Sequence, residues 1–285
     1  MNRTLLRLPL LAMLLAICIG CISIQGQTPN STHNAGTNPM VKDDLARRGL
    51  KLLLRSDPTF ADELKKLGLD SSELQAKGLF PVLLRNSSLR SLAAVQIHWR
   101  LIDNSSVIWN PSFSFTQPRA LLDGHLVRME EASLPSNSTR LITVEGLILR
   151  PEQLHNMSSQ FSSKPFSLVS VQIDSAVFDD GSVVGPDEDG LVARFRAMVD
   201  AQHDLMEEIG SQLAKGQSLH DVLAAMPHED DKNVHSVAPS EFYRMIRQQI
   251  LDEMIATEKN FGQEMAMRSF HYHRYEIRPD IHRIP

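Results

Sequence analysis

The chain has 285 residues, 42% hydrophobic and 6% aromatic, and 29 Lys+Arg against 34 Asp+Glu give a formal net charge of −5. Mixed charge without a basic stripe, and few aromatic rings, argue against nucleic acid as a partner. Both cysteines, Cys18 and Cys21, lie near the start, so the body that follows is expected to hold no disulfide, thiolate nucleophile or cysteine metal site. It must rest on its own core, which roughly 240 ordered residues suffice to build.

Arg3 and Arg7 precede an apolar run, Leu8 to Ile24, that contains Ile19-Gly20-Cys21. A basic head, an apolar middle and a small residue before a cut are the layout of a secretion signal, placed at 1–26. Three fates are open. Cleavage before Cys21 leaves a cysteine for lipidation, and Ile19-Gly20-Cys21 resembles a bacterial lipoprotein box, although Cys18 stands where leucine is usual. Ordinary cleavage near Gly26 releases the chain. An uncleaved anchor is the third, since the apolar run sits at the low edge of the roughly 17–25 residues that span a bilayer. The polar stretch that follows, Gln27 to Pro39, has nothing to bury and reads as a disordered tether over 27–40.

Residues 41–78 read as short helices. Leu45, Leu50 and Leu53 or Leu54 recur at helical spacing. Asp57-Pro58 is a start signal and Gly68 a stop; Asp70 with Glu73 makes a capping-box pattern before Gly78. From Leu79 the period changes to two. Val95, Ile97, Trp99 and Leu101 alternate with Gln96, His98 and Arg100, and Val169, Val171 and Ile173 with Ser170 and Gln172, as half-buried strands do. Phe80 to Leu84, Phe113 with Phe115, and Ile142 with Val144 supply further strands. Asp180-Gly181 joins a hairpin as a type I′ turn. About seven short strands predict an antiparallel β-sandwich over 79–186. After Gly185-Pro186 the helical period returns for 187–275. Leu191, Phe195, Met198, Leu205, Ile209 and Leu213 form one stripe, and Ser218 with Asp221 caps a short helix stopped by Pro227. Ser240 to about Phe270 reads as one helix of roughly 45 Å, and 276–285 as a tail. The fold class is therefore α+β, a sandwich with short N-terminal helices and a C-terminal helical hairpin.

The densest oxygen cluster is Asp179, Asp180, Asp187, Glu188 and Asp189. Asp179, Asp180, Asp187 and Asp189 are the candidate metal ligands, for Ca²⁺, but the spacing does not fit an EF-hand loop. Their structural account is a hairpin turn and a helix N-terminus that favours negative charge. Eleven histidines include no H-E-x-x-H, and His203 with Glu207 is a lone i, i+4 pair. No G-x-S-x-G, P-loop or G-x-G-x-x-G occurs, so no catalytic or cofactor-binding residue is assigned. Trp109, before Asn110-Pro111, is the exposed aromatic a glycan could stack on. The sequons at Asn30, Asn86, Asn104, Asn137 and Asn156 would matter in a eukaryote; if the lipoprotein-box reading holds, the host is bacterial and they are simply Asn and Ser in loops.

Val171-Gln172-Ile173-Asp174-Ser175-Ala176-Val177-Phe178-Asp179-Asp180-Gly181, then Val184-Gly185-Pro186-Asp187, resembles a segment of uncharacterised exported proteins of Acidobacteria-type bacteria. So does Arg85-Asn86-Ser87-Ser88 leading to Val95 to Ile102. Over 80–186 the resemblance implies a sandwich followed by helices, and no activity. Three functions follow as expectations. The first is a non-catalytic exported or envelope-tethered module, held at the membrane by Cys21 lipid or an anchor, that meets an envelope protein or a second copy through its C-terminal helices. The second is an envelope hydrolase, with or without a metal, built on the acidic loop 179–189, in which His98, His228 or His235 meets Asp179 or Asp180. The third is a glycan-binding module.

Overall fold

The computed structural model describes residues 40–42, 45–70, 74, 80–116, 134–148, 166–227, 238–274 and 280–284. It is a mixed α/β structure with two mostly antiparallel sheets. The elements are β1 (Met40–Lys42), β2 (Leu50–Leu53), α1 (Phe60–Lys66), β3 (Val82–Asn86), β4 (Leu92–Asp103), β5 (Ile108–Trp109) and β6 (Ser112–Thr116). They continue with β7 (Ser138–Thr143), β8 (Gly146–Ile148), β9 (Phe166–Phe178), β10 (Ser182–Val184), α2 (Leu191–Ala214), α3 (Leu219–Ala225), α4 (Pro239–Phe261), α5 (Gln263–His273) and β11 (His282–Arg283). Among the described residues no helix is long and apolar enough to cross a membrane.

One sheet runs β11-β10-β9-β4-β5, with β1 also on β9 and β6 also on β4; the other runs β2-β3-β7-β8. Their facing sides share one apolar cluster. Leu50, Leu52, Val82, Leu84 and Ile142 come from the second sheet, and Val95, Ile97, Trp99, Phe113, Val171 and Ile173 from the first. The period-two pattern of β4 thus points where alternation requires. On the outer side of the second sheet, Leu53, Leu83 and Leu141 pack against Phe60 and Leu64 of α1. On the outer side of the first, Ala93, Ala94, Val177 and Val183 receive Leu191, Val192, Phe195 and Val199 of α2. A separate cluster joins the later turns of α2 (Leu205, Met206, Ile209) to α3, α4 and α5.

Several expectations are corrected. Residues 41–78 are not only short helices: Leu50 to Leu53 form β2, paired antiparallel with β3. A strand covered on both faces buries neighbouring leucines, so Leu50 and Leu53 imitate a helical stripe. The helix after Asp57-Pro58 is present as α1, and Gly68 follows it at φ +72°. The Asp70–Glu73 capping box falls largely outside the described residues. Across β4 and β9, Leu101 faces Leu168, because the register shifts between Arg100 and Leu101. In the hairpin only Gly181 has positive φ, and its N–H bonds the Phe178 carbonyl at 2.9 Å. That is a type I turn ending in a left-handed glycine, not type I′.

The helix expected over 240–270 breaks at Gly262 (φ +84°, ψ 170°), and α5 folds back against α2, α3 and α4. Among the described residues the C-terminal region holds four packed helices rather than a hairpin. The tail is also structured in part: Ile281 is buried beside Phe195, and β11 pairs parallel with β10. The α2 stripe and the Ser218 cap stand where the sequence places them, with the Asp221 N–H bonding Ser218 Oγ at 3.1 Å.

Candidate functional site

A polar assembly lies where α2 starts against the outer face of β4 and β9. On β4, Gln96 and His98 point away from the inter-sheet core. On β9, Asp174 and Ser175 are both wholly buried. Between β10 and α2, the loop Gly185 to Gly190 turns on positive φ at Gly185, Asp187 and Gly190. A Cβ at Gly185 would overlap the Asp174 carbonyl, so the loop can lie flat on β9 only with glycine there.

Asp174 anchors this loop. Its carboxylate accepts the Glu188 N–H at 2.9 Å and the Asp189 N–H at 3.4 Å, and its carbonyl accepts the Asp187 N–H at 3.3 Å. Asp187 in turn accepts the Val192 N–H at 3.1 Å, supplying the first turn of α2 with an acceptor. Asp189 Oδ2 accepts from Gln96 Nε2 at 2.8 Å and lies 2.8 Å from His98 Nε2. Arg194 closes the ring, donating to Gln96 Oε1 at 2.9 Å and to the Asp189 carbonyl at 2.6 Å. Carboxylates at a helix start also meet the positive end of its dipole.

The four aspartates proposed for a metal divide between two places. Asp179 accepts the Ser91 N–H at 3.0 Å, and Asp180 accepts from Ser182 and pairs with Arg90 at the hairpin tip. Asp187 and Asp189 belong to the α2 loop. Among the described residues no three His, Cys, Asp or Glu side chains gather as a metal set. His98 meets Asp189 rather than Asp179 or Asp180; His228, His235 and Cys21 lie outside the described residues. No family model, no curated protein and no solved structure matches the chain.

What the cluster can do chemically is limited by its partners. Asp189 engages His98 through Nε2, and among the described residues no hydroxyl bonds either ring nitrogen. The cross-strand neighbours of His98 are Ser112 and Gln172. A nucleophile–base–carboxylate relay needs the hydroxyl and the carboxylate on opposite ring nitrogens. Trp109 is half-buried, edge-on to Phe166 at 5.8 Å, with its indole N–H donating to Asp103 at 3.3 Å. Between the sheets, Leu84, Val95, Phe115, Leu134, Arg140 and Ile142 line a cavity of about 10 Å³, room for about one water. Burial there pushes the Arg140 guanidinium below its ordinary value.

Sequence reasoning missed Asp174, Gln96 and Arg194 as a unit. The available signal was Asp174-Ser175 interrupting the apolar alternation of β9, followed by Asp187-Glu188-Asp189-Gly190 at a helix start. Asn86 was also underrated. It is fully buried, and its side-chain amide bonds the carbonyls of Arg90, Leu134 and Pro135 while its oxygen accepts from Ser88.

Proposed function

We propose that the chain is a non-catalytic, exported or envelope-tethered binding module: a β-sandwich that presents a helical unit to an envelope protein or to a second copy. The observation that carries this reading is the way the polar cluster at the start of α2 is committed. Asp174, Asp189, Gln96 and Arg194 all bind one another or the backbone, and together they fix α2 to the sheet. The export half of the reading rests on Arg3 to Cys21 and on the resemblance over 80–186. At the helical end, Phe261 is 70% exposed beside the Gly262 corner, an apolar feature available to a partner.

Intact mass and fractionation of the full chain, expressed in a bacterial host with its own leader, test the location. Acylation at Cys21 or a retained leader supports tethering, and a chain cut near Gly26 supports release; an unprocessed chain in the cytoplasm refutes export. Cross-linking in intact cells tests the partner, with Phe261→Ser expected to weaken capture. One observation favours the hydrolase as a second reading, the 2.8 Å His98–Asp189 contact. Ester, peptide or glycoside turnover abolished by His98→Ala would establish it over the first.

A further inference from the structure

We infer that the channel between β10 and the first turns of α2 is a strand-addition site, and that the partner it fits is residues 280–284 of a second copy, taken in exchange for the chain's own. Neither export nor the exposed helical faces enter this inference, so it stands apart from the reading above.

The channel is filled in the single chain. β11 lies parallel to β10, with Ser182 opposite His282 and Val183 opposite Arg283. The His282 N–H donates to the Gly181 carbonyl at 3.0 Å, and the Ile284 N–H to the Val183 carbonyl at 3.3 Å. Alternation sends the two isoleucines to opposite faces. Ile281 is buried with Val183, Leu191 and Phe195, and Ile284 packs against the inter-sheet core. From α2, Arg196 donates to the Ile281 carbonyl at 2.6 Å. Arg283 donates to the carbonyls of Gly185 at 3.1 Å and Pro186 at 3.3 Å, and lies 3.6 Å from Asp187. At the mouth, a Cβ on Gly181 would overlap the Asp280 carbonyl, so glycine leaves room for the entering chain. The site thus selects a branched apolar residue, an arginine two positions on, and a second apolar residue after it. Residues 281–284 carry that pattern, and so does every other copy of the chain.

Two features make the segment exchangeable. Its hold is local, because the pairing with β10 covers two residues and both His282 and Arg283 are exposed. Short edge pairings open ahead of the whole fold, and parallel ones are the weaker kind. An empty channel is also unfavourable. It bares the β10 edge, with the carbonyls of Gly181 and Val183, beside the apolar bed of Ile281. A second copy restores each of these contacts, so exchange costs only the entropy of association. Six chain steps separate Arg274 from Asp280 and span at most about 20 Å, which sets how near the second copy's channel must lie.

The test uses the full chain with Cys18→Ser and Cys21→Ser, so that no native thiol competes. One preparation carries Ser182→Cys and another His282→Cys, positions that face each other across β10 and β11. A chain carrying both should close a disulfide within itself, and failure to close would overturn the site. The two single variants, mixed at about 100 μM, incubated and oxidised, should give about a tenth of the protein as covalent heterodimer, given a millimolar effective concentration of each chain's own segment. A free peptide of residues 278–285 at about 10 mM should cut that yield about tenfold, and the Ile281→Asp peptide should leave it unchanged. Closure within the doubly substituted chain but no heterodimer from the mixture overturns exchange. So does a heterodimer that the two peptides affect alike.

Discussion

Gly262→Ala isolates the backbone requirement at the corner between α4 and α5. At φ +84° and ψ 170°, Gly262 occupies a region that is essentially glycine's alone, and nothing lies within 4 Å of where a Cβ would stand. The penalty is therefore conformational, about 1–3 kcal/mol, with no steric part. The chain could escape by straightening into one helix from Pro239 to His273. That would relieve the strain and gain about 1 kcal/mol of helix propensity. It would also expose Phe270, 2% accessible in the bent form, at about 2–3 kcal/mol, and would lose the bond from Gln202 to the His273 carbonyl, about 1 kcal/mol. Bending therefore persists within one molecule, but less stably, while a straightened α5 can satisfy its apolar face on another copy. In a chain expressed without residues 1–26, the melting temperature should fall by roughly 3–10 °C. Light scattering after size exclusion should show more dimer than wild type at the same concentration. An unchanged melting temperature and unchanged mass would refute the account of this corner.

Three further outcomes can be measured in the same chain. Asp174→Ala removes the acceptor of two loop N–H groups and should lower urea-unfolding stability by about 2–4 kcal/mol, with an unchanged midpoint counting against the anchoring role. Asn86→Asp places a carboxylate against three carbonyl oxygens and should destabilise by about 3 kcal/mol or more at neutral pH, a loss that shrinks as the aspartate is protonated; calorimetry at both pH values decides. The Thr59 hydroxyl and N–H hold the Asp57 carboxyl below its ordinary value, so this contribution is present above the unfolded value and disappears as pH falls through the folded one. Thr59→Val should raise the Asp57 titration toward the ordinary carboxylate range by NMR, and identical curves would exclude the hydroxyl as the cause.

The parts of this fold legible in the sequence are those governed by near neighbours along the chain. β4 declares itself because Val95, Ile97, Trp99 and Leu101 face one core while the residues between them do not. The start of α3 is legible because Ser218 caps within three residues of itself. β2 was illegible because its leucines answer to two layers at once, the inter-sheet core through Leu50 and Leu52 and α1 through Leu53. β11 was illegible because two residues carry no period, and Ile281 is buried by Phe195 of a helix some eighty residues earlier. Gly262 was present in the sequence, but an isolated glycine is tolerated in a helix, and only the packing of Phe270 onto the bundle selects the bent form over the straight one.

The candidate site follows the same logic one level higher. The aspartates at 187 and 189 were read as helix-start residues, and in the structure Asp187 serves α2 in that way. What the local reading lacked was the second strand. Asp174 reaches the loop only because the hairpin folds β10 back along β9, bringing Gly185 against the Asp174 carbonyl. Gln96 and His98 reach Asp189 only because β4 lies beside β9. A buried carboxylate that accepts backbone N–H groups, beside a second one tied to glutamine and histidine, joins α2 to the sheets. It fixes the angle at which the helical unit leaves the sheets. Replacing either Gln96 or Arg194 removes the bond between them, so both side chains are needed to hold α2 at its angle to the sheets.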